Sequence, residues 1–142
     1  MKILVPVDGS KPALHAVKYA ASLVAAMSGS SHSITLISVH DDAWLRHAKA
    51  FVGRGQVADY LRELSEKDIK PARKLLDAAG VTHDIVIRTG HVSKVIVEFA
   101  SAGGFDLIVL GSKGRAAVAD LLLGSVAQRV LATACQPVVL VK

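Results

Sequence analysis

Short apolar runs alternate along this chain with longer segments whose apolar residues recur every three or four positions. Five runs predict strands: residues 3–7 (Ile-Leu-Val-Pro-Val), 34–39, a third centred on 85–87, 107–110 and 138–141. Asp8-Gly9-Ser10 turns the chain after the first run, and Ser10 is a good cap for the helix that follows. Pro12 falls in that helix's first turn, where its missing N–H costs little. Leu14, Val17, Ala21 and Val24 share one helical face, opposite Lys11, His15, Lys18 and Ser22, and Gly29 ends the pattern. A long stripe through Val57, Leu61, Leu64, Ala72, Leu75 and Ala79 predicts a second helix, with Pro71 imposing a kink or break near residues 67–70. Val92, Val95, Ile96 and Phe99 mark a third helix closed by Gly103-Gly104, and Ala127, Val130, Leu131 and Ala134 mark a last one.

The pattern over residues 40–54 is ambiguous. Trp44, Leu45, Ala48 and Phe51 have helical spacing, but Gly53 and Gly55 stop it early. Trp44, Phe51 and Val52 read equally as a flap over a ligand, a plug at the sheet's edge or part of a dimer contact.

The alternation of strand and helix predicts a Rossmann-like α/β fold: one open parallel sheet with helices on both faces. No repeat, linker or low-complexity tract divides it, so residues 1–142 read as a single domain. Pro6 is the one tension, because it removes a ladder donor from an inner strand; its place near the strand's end makes this tolerable.

Composition narrows the class. Hydrophobic residues reach 51% and aromatics only 4%, so the core is aliphatic and no stacking platform for single-stranded nucleic acid is available. No apolar run approaches the ~20 residues of a membrane span, and the N-terminus reaches charge too soon for a signal peptide. A cytoplasmic protein without nucleic-acid or membrane partners is expected. The net charge of +5 favours anionic ligands without naming one. Cys135 has no disulfide partner in the chain and reads as a buried small hydrophobe; the six histidines are too scattered for a zinc site.

In open parallel sheets, ligands gather beyond the carboxyl ends of the strands, where strand order reverses. Two segments follow strands in this way. Gly111-Ser112-Lys113-Gly114 follows the fourth strand, and Gly124-Ser125 opens the last helix. Glycines there let backbone N–H groups approach an anion, and a helix N-terminus favours negative charge. Lys113 and Arg115 add positive charge. Together these form a divided phosphate cradle; taken singly, the glycines only turn the chain and Ser125 only caps a helix. Asp8 has two readings: contact with a ligand, directly or through Mg²⁺, or a turn residue leading into the first helix. His40-Asp41-Asp42 follows the second strand and has a weaker claim on metal or ribose. P-loop, dinucleotide-oxidoreductase and nucleophile-elbow motifs are absent.

At these residues the chain resembles the universal stress protein family. Its nucleotide-binding members carry G-x2-G-x9-G-[S/T], and Gly111, Gly114, Gly124 and Ser125 match that spacing. The opening Ile-Leu-Val-Pro-Val-Asp-Gly-Ser and the ending Leu-Leu-Leu-Gly-Ser-Val-Ala-Gln-Arg-Val-Leu, then Cys-Gln-Pro-Val-Val-Leu-Val, are similar too. The resemblance spans nearly the whole chain and is weakest over residues 40–60. It implies strand order 3-2-1-4-5 and an adenine nucleotide as ligand: ATP, or ADP or AMP. It places Pro6, Val7 and Asp8 along the adenosine and the Val39 backbone at the adenine edge. Leu110, Gly111, Lys113 and Gly114 continue the wall, and Gly124, Ser125 and Val126 hold phosphates. Lys113 departs from the His or Arg common there, offering a point charge without a planar fork. The resemblance also implies a homodimer through the last strand, Val138, Val139, Leu140 and Val141; an aliphatic edge strand is prone to pair.

Three functions follow from these readings. The first is an ATP-binding regulatory module of the stress response, not a dedicated enzyme. The second is a slow ATPase or phosphotransferase using the same pocket, for which no general base stands at recognisable spacing. The third is a dimeric interaction protein whose pocket is vestigial, which the intact glycines and serine oppose.

Overall fold

A computed structural model describes residues 1–29, 31–41, 43, 46–47, 53–115, 120 and 122–142. The strands are β1 (Lys2–Pro6), β2 (Ser33–His40), β3 (His83–Thr89), β4 (Leu107–Gly111) and β5 (Val138–Val141). They form one parallel sheet in the order β3-β2-β1-β4-β5, so the implied order holds. Among the described residues four helices of nine or more residues alternate with them: α1 (Lys11–Ala26), α2 (Arg54–Ala78), α3 (Val92–Ala102) and α4 (Ser125–Thr133).

Strand alternation sorts the core into two layers. Ile3, Val5, Ile34, Leu36, Leu107 and Val109 face α1 and α2, where they meet Ala16, Val17, Ala20, Ile69, Ala72 and Leu76. Leu4, Ile37, Ile108 and Leu110 face α3 and α4 and pack on Ile96, Ala100, Ala127 and Val130. The alanines on α1 and α4 let helix backbones lie close to aliphatic strands.

α1 starts as its sequence dictates: the Ser10 hydroxyl accepts a hydrogen bond from Ala13 N at 3.3 Å, and Pro12 sits in the first turn. α2 corrects two expectations. It runs through Pro71 without a break, because a face of seven buried residues, from Val57 to Leu76, holds both halves down and offsets the lost backbone bond. Its buried face also carries Ser65 and Asp68, while Leu64 and Leu75 are half-buried and Ala79 is exposed. The α2 stripe therefore keeps Val57, Leu61 and Ala72 as predicted, but Ser65 and Leu76 take the buried places expected of Leu64 and Leu75, and Asp68 and Ile69 join them. Cys135 is exposed, not buried, in the surface connection between α4 and β5. Trp44, Leu45, Ala48, Phe51 and Val52, and Asp42, lie outside the described residues, and so do the readings placed on them. Among the described residues no helix is long and apolar enough to cross a membrane.

Pro6 has a positive role. Val7 N donates to Ile37 O at 2.9 Å, so the nitrogen one residue earlier faces β4. Pairing of β1 with β4 covers only Ile3 with Leu107 and Leu4 with Ile108. The missing N–H thus falls where the two strands have parted, and it costs no ladder bond. That parting opens the sheet at its switch point.

Candidate functional site

A cleft of about 420 Å³ lies beyond the carboxyl ends of β1 and β4, within the range usual for small-molecule pockets. All eleven residues assigned above line it: Pro6, Val7, Asp8, Val39, Leu110, Gly111, Lys113, Gly114, Gly124, Ser125 and Val126. Among the described residues, Ala13, Ile37, Val92, Ile96, Arg115 and Ala127 complete the lining. Arg115 was already read as part of the cradle; the other five are ordinary core residues beyond reach of motif reading, save that Ile37 had a signal in its spacing, two positions before Val39.

The wall is apolar at one end. Ile37, Val39, Val92, Ile96 and Leu110 extend the α3–α4 core layer into the cleft. Val7 buries its side chain in the opposite layer, so it offers the cleft main chain. Val39 offers main chain as well. Ile37 O points toward β1 and His40 O toward β3, where it accepts from Gly90 N at 2.9 Å. By alternation the Val39 peptide groups point toward β1, beyond its last paired residue. An apolar slot edged by peptide donors and acceptors can take a heterocyclic base.

The other end is polar and built from two loops locked together. Gly124 N donates to Ser112 O at 2.7 Å, and Ser112 N donates to Val141 O at 2.7 Å. A Cβ on Gly124 would lie 3.3 Å from Lys113 Cα and 3.4 Å from Gly114 N, so this glycine permits close loop-to-loop packing. Gly124 caps α4 with no side-chain bond to the first turn. Ser125, Val126 and Ala127, the first residues of α4, line the cleft and bring the positive end of the helix to it.

Gly111 has a different duty from the one expected of it. A Cβ there would come within 2.8 Å of Pro12 C and Ala13 N, so it seats the start of α1 against β4. Asp8 combines its turn reading with a place in the cleft. Its Oδ1 accepts from Ser10 N at 2.9 Å and its Oδ2 from Arg115 N at 3.2 Å. Its carboxylate therefore ties the β1–α1 turn to the loop after β4. Among the described residues no group of three His, Cys, Asp or Glu side chains could hold a metal ion. Asp8 alone fits the pattern in which Mg²⁺ takes one carboxylate and leaves its other positions to phosphates and water.

His40 does not reach the cleft. Its spacing from Ile34 and Leu36 puts it on the α1–α2 side, its Nε2 3.4 Å from the Ser38 hydroxyl. Burial lowers its pKa below the ordinary 6.5; the Asp68 carboxylate opposes the shift and Arg115 adds to it. Because the folded value is the lower one, the unfolded chain binds the extra proton as pH falls below 6.5. Stability present above that pH is lost as pH falls through the folded pKa. The fall in urea midpoint between about pH 7.5 and about pH 5.5 should therefore be smaller in His40→Gln than in the wild type; an equal fall would refute the assignment.

Strand order, the early parting of β1 from β4 and a cleft between a glycine loop and a helix start define a doubly wound α/β protein with a cleft at its switch point, the place where such sheets bind ligands. The chain belongs to the universal stress protein family, whose description matches residues 1–142. It is 32% identical over 141 residues to a universal stress protein of Thermus aquaticus, covering 99% of this chain and 97% of that one. Among solved structures it is similar to protein MJ0577 of Methanocaldococcus jannaschii (TM-score 0.85, 28% identity, 99% of this chain and 94% of that one). It is also similar to a universal stress protein in complex with cAMP (TM-score 0.74, 25% identity, 100% of this chain and 97% of that one).

Proposed function

We propose that residues 1–142 act as one cytoplasmic domain that binds an adenine nucleotide, ATP in the first instance, and works as a nucleotide-dependent regulatory module. The observation that carries this reading is convergence: residues from β1, β2, β4 and α4, far apart in sequence, line one cleft with an apolar slot and an anion-favouring end. The base would lie against Ile37, Val39 and Leu110, with the phosphates between the Lys113–Gly114 backbone and the first turn of α4. The cAMP held by a relative supports the adenine assignment. Mg²⁺ would arrive with the phosphates and shield their charge, with Asp8 its ligand from the protein.

A regulatory role is favoured over catalysis by the lining. Among the described residues its ionisable side chains are Asp8, Lys113 and Arg115, and the Asp8 carboxylate accepts two backbone hydrogen bonds. None of the histidines lines the cleft, so no imidazole is on hand to take a proton from an attacking water. The well-formed cleft also speaks against a vestigial pocket.

β5 lies at the sheet's edge with four half-buried aliphatic residues. A second copy pairing there would cover Val138, Val139, Leu140 and Val141. Chromatography of nucleotide recovered after hours with the protein tests the role, and light scattering of the same sample tests the assembly. The module returns intact ATP from a particle of twice 14.9 kDa. Accumulating ADP that disappears in Asp8→Ala would establish the enzyme instead, and a monomer mass would remove the β5 pairing.

A further inference from the structure

Arg115 is held at both ends, and the second hold comes from across the sheet. Its backbone N donates to Asp8 Oδ2 at 3.2 Å. Its guanidinium, more than half exposed, donates through Nη2 to Oδ1 of Asp68, whose side chain is only 5% exposed. Asp68 stands on α2, against the sheet face opposite the cleft's apolar wall, and it does not line the cleft.

The path between the two holds runs over Gly9. That residue has φ +80°, and a Cβ on it would strike the Arg115 guanidinium and lie 2.6 Å from Asp68 Oδ1. The turn after β1 therefore leaves the gap through which Arg115 reaches α2. A buried carboxylate needs a cationic or hydrogen-bonding partner, and Arg115 supplies it.

From this we propose that Asp68 is a positioning residue for the cleft: through Arg115 it fixes the loop of residues 112–115, and with it the phosphate end. The inference rests on the nucleotide reading above. The mechanical chain is short. Lys113 and Gly114 precede Arg115, line the cleft, and pack against Gly124 at the start of α4. Holding Arg115 keeps both halves of the phosphate end at one spacing. Releasing it lets the loop move without touching the apolar slot.

The test compares Asp68→Asn, Arg115→Gln and the double variant with the wild type, using ATP, AMP and adenosine. Asp68→Asn keeps the shape of the buried side chain, and the exposed Arg115→Gln guards against a folding defect at position 68. Affinity for both nucleotides should fall roughly tenfold in each single variant, the loss of one charge-assisted bond, and no further in the double variant. Adenosine affinity should not change. In ligand-free protein, amide exchange at Gly114 and Arg115 should quicken in both variants while Val5 and Val109 keep their protection.

Unchanged nucleotide affinity and exchange in the single variants would overturn the proposal, leaving Asp68 a balanced buried charge. Loss of binding in Arg115→Gln beside normal binding in Asp68→Asn would overturn it too, since Arg115 would then meet phosphate itself. A wild type that binds no nucleotide would defeat the functional reading, whereas the exchange rates would still decide whether Asp68 holds the loop.

Discussion

Gly111→Val is expected to lower the unfolding free energy by about 3 kcal/mol, the upper end of what overpacking a tight interior costs. The β-carbon alone would lie 2.8 Å from Pro12 C and Ala13 N. Both are backbone atoms in the first turn of a helix pinned by the Ser10 cap and by five buried residues, so neither can swing aside. Relief requires lifting α1 off β4, which opens the layer containing Val17, Ala20 and Val109. Urea denaturation checks this directly. An unchanged midpoint would show that α1 does not depend on that close approach.

Gly124→Val should act in the opposite way, sparing the fold and removing the site. The added carbons point at Lys113 Cα and Gly114 N, atoms of a loop that is half-buried at Lys113 and exposed at Gly114 and can yield where a helix cannot. Yielding separates the two loops and lengthens the Gly124 N to Ser112 O bond. Bringing the separated segments back to the spacing a nucleotide needs would cost roughly 1–3 kcal/mol on binding, a loss of about five- to a hundred-and-fiftyfold in affinity. Denaturation midpoints close to the wild type, together with that loss by titration, are the expected pair of results. Wild-type affinity in the folded variant would remove the loop junction from the site. Gly114→Val should weaken binding as well, since its β-carbon would lie 2.8 Å from Asp8 Oδ2 and disturb the Arg115 N–H bond.

Much of this architecture was legible because punctuation and burial agree locally. Each aliphatic run became a strand, and each ends near a glycine, proline or capping residue that a turn requires. The Ser10 cap and the strand Val138–Val141 were read to the residue. The cleft was legible for a related reason: a parallel sheet delivers strand ends to one edge, so residues just past strands meet there.

What escaped the sequence depends on contacts between distant segments. Asp68 carries no mark of burial, because its partner lies 47 positions away and its neighbours Glu66, Lys67 and Lys70 are ordinary surface charges. Pro71 signals a break that tertiary packing overrides. The glycines were seen as one motif, yet they do three jobs: Gly111 seats a helix, Gly114 clears the Asp8 carboxylate and Gly124 joins two loops. Spacing alone does not separate these. His40 could have been placed correctly, since the period of two from Ile34 and Leu36 already turns it away from Val39.

The measurement that bears most directly on the central claim is calorimetric titration of the nucleotide-stripped protein with Mg-ATP, at two temperatures so that a cancelling enthalpy is not mistaken for silence. The account predicts saturable binding of one nucleotide per chain, competed by AMP and by cAMP. No heat at either temperature, and no competition, would contradict it: the fold would stand, and the cleft beyond β1 and β4 would need another ligand.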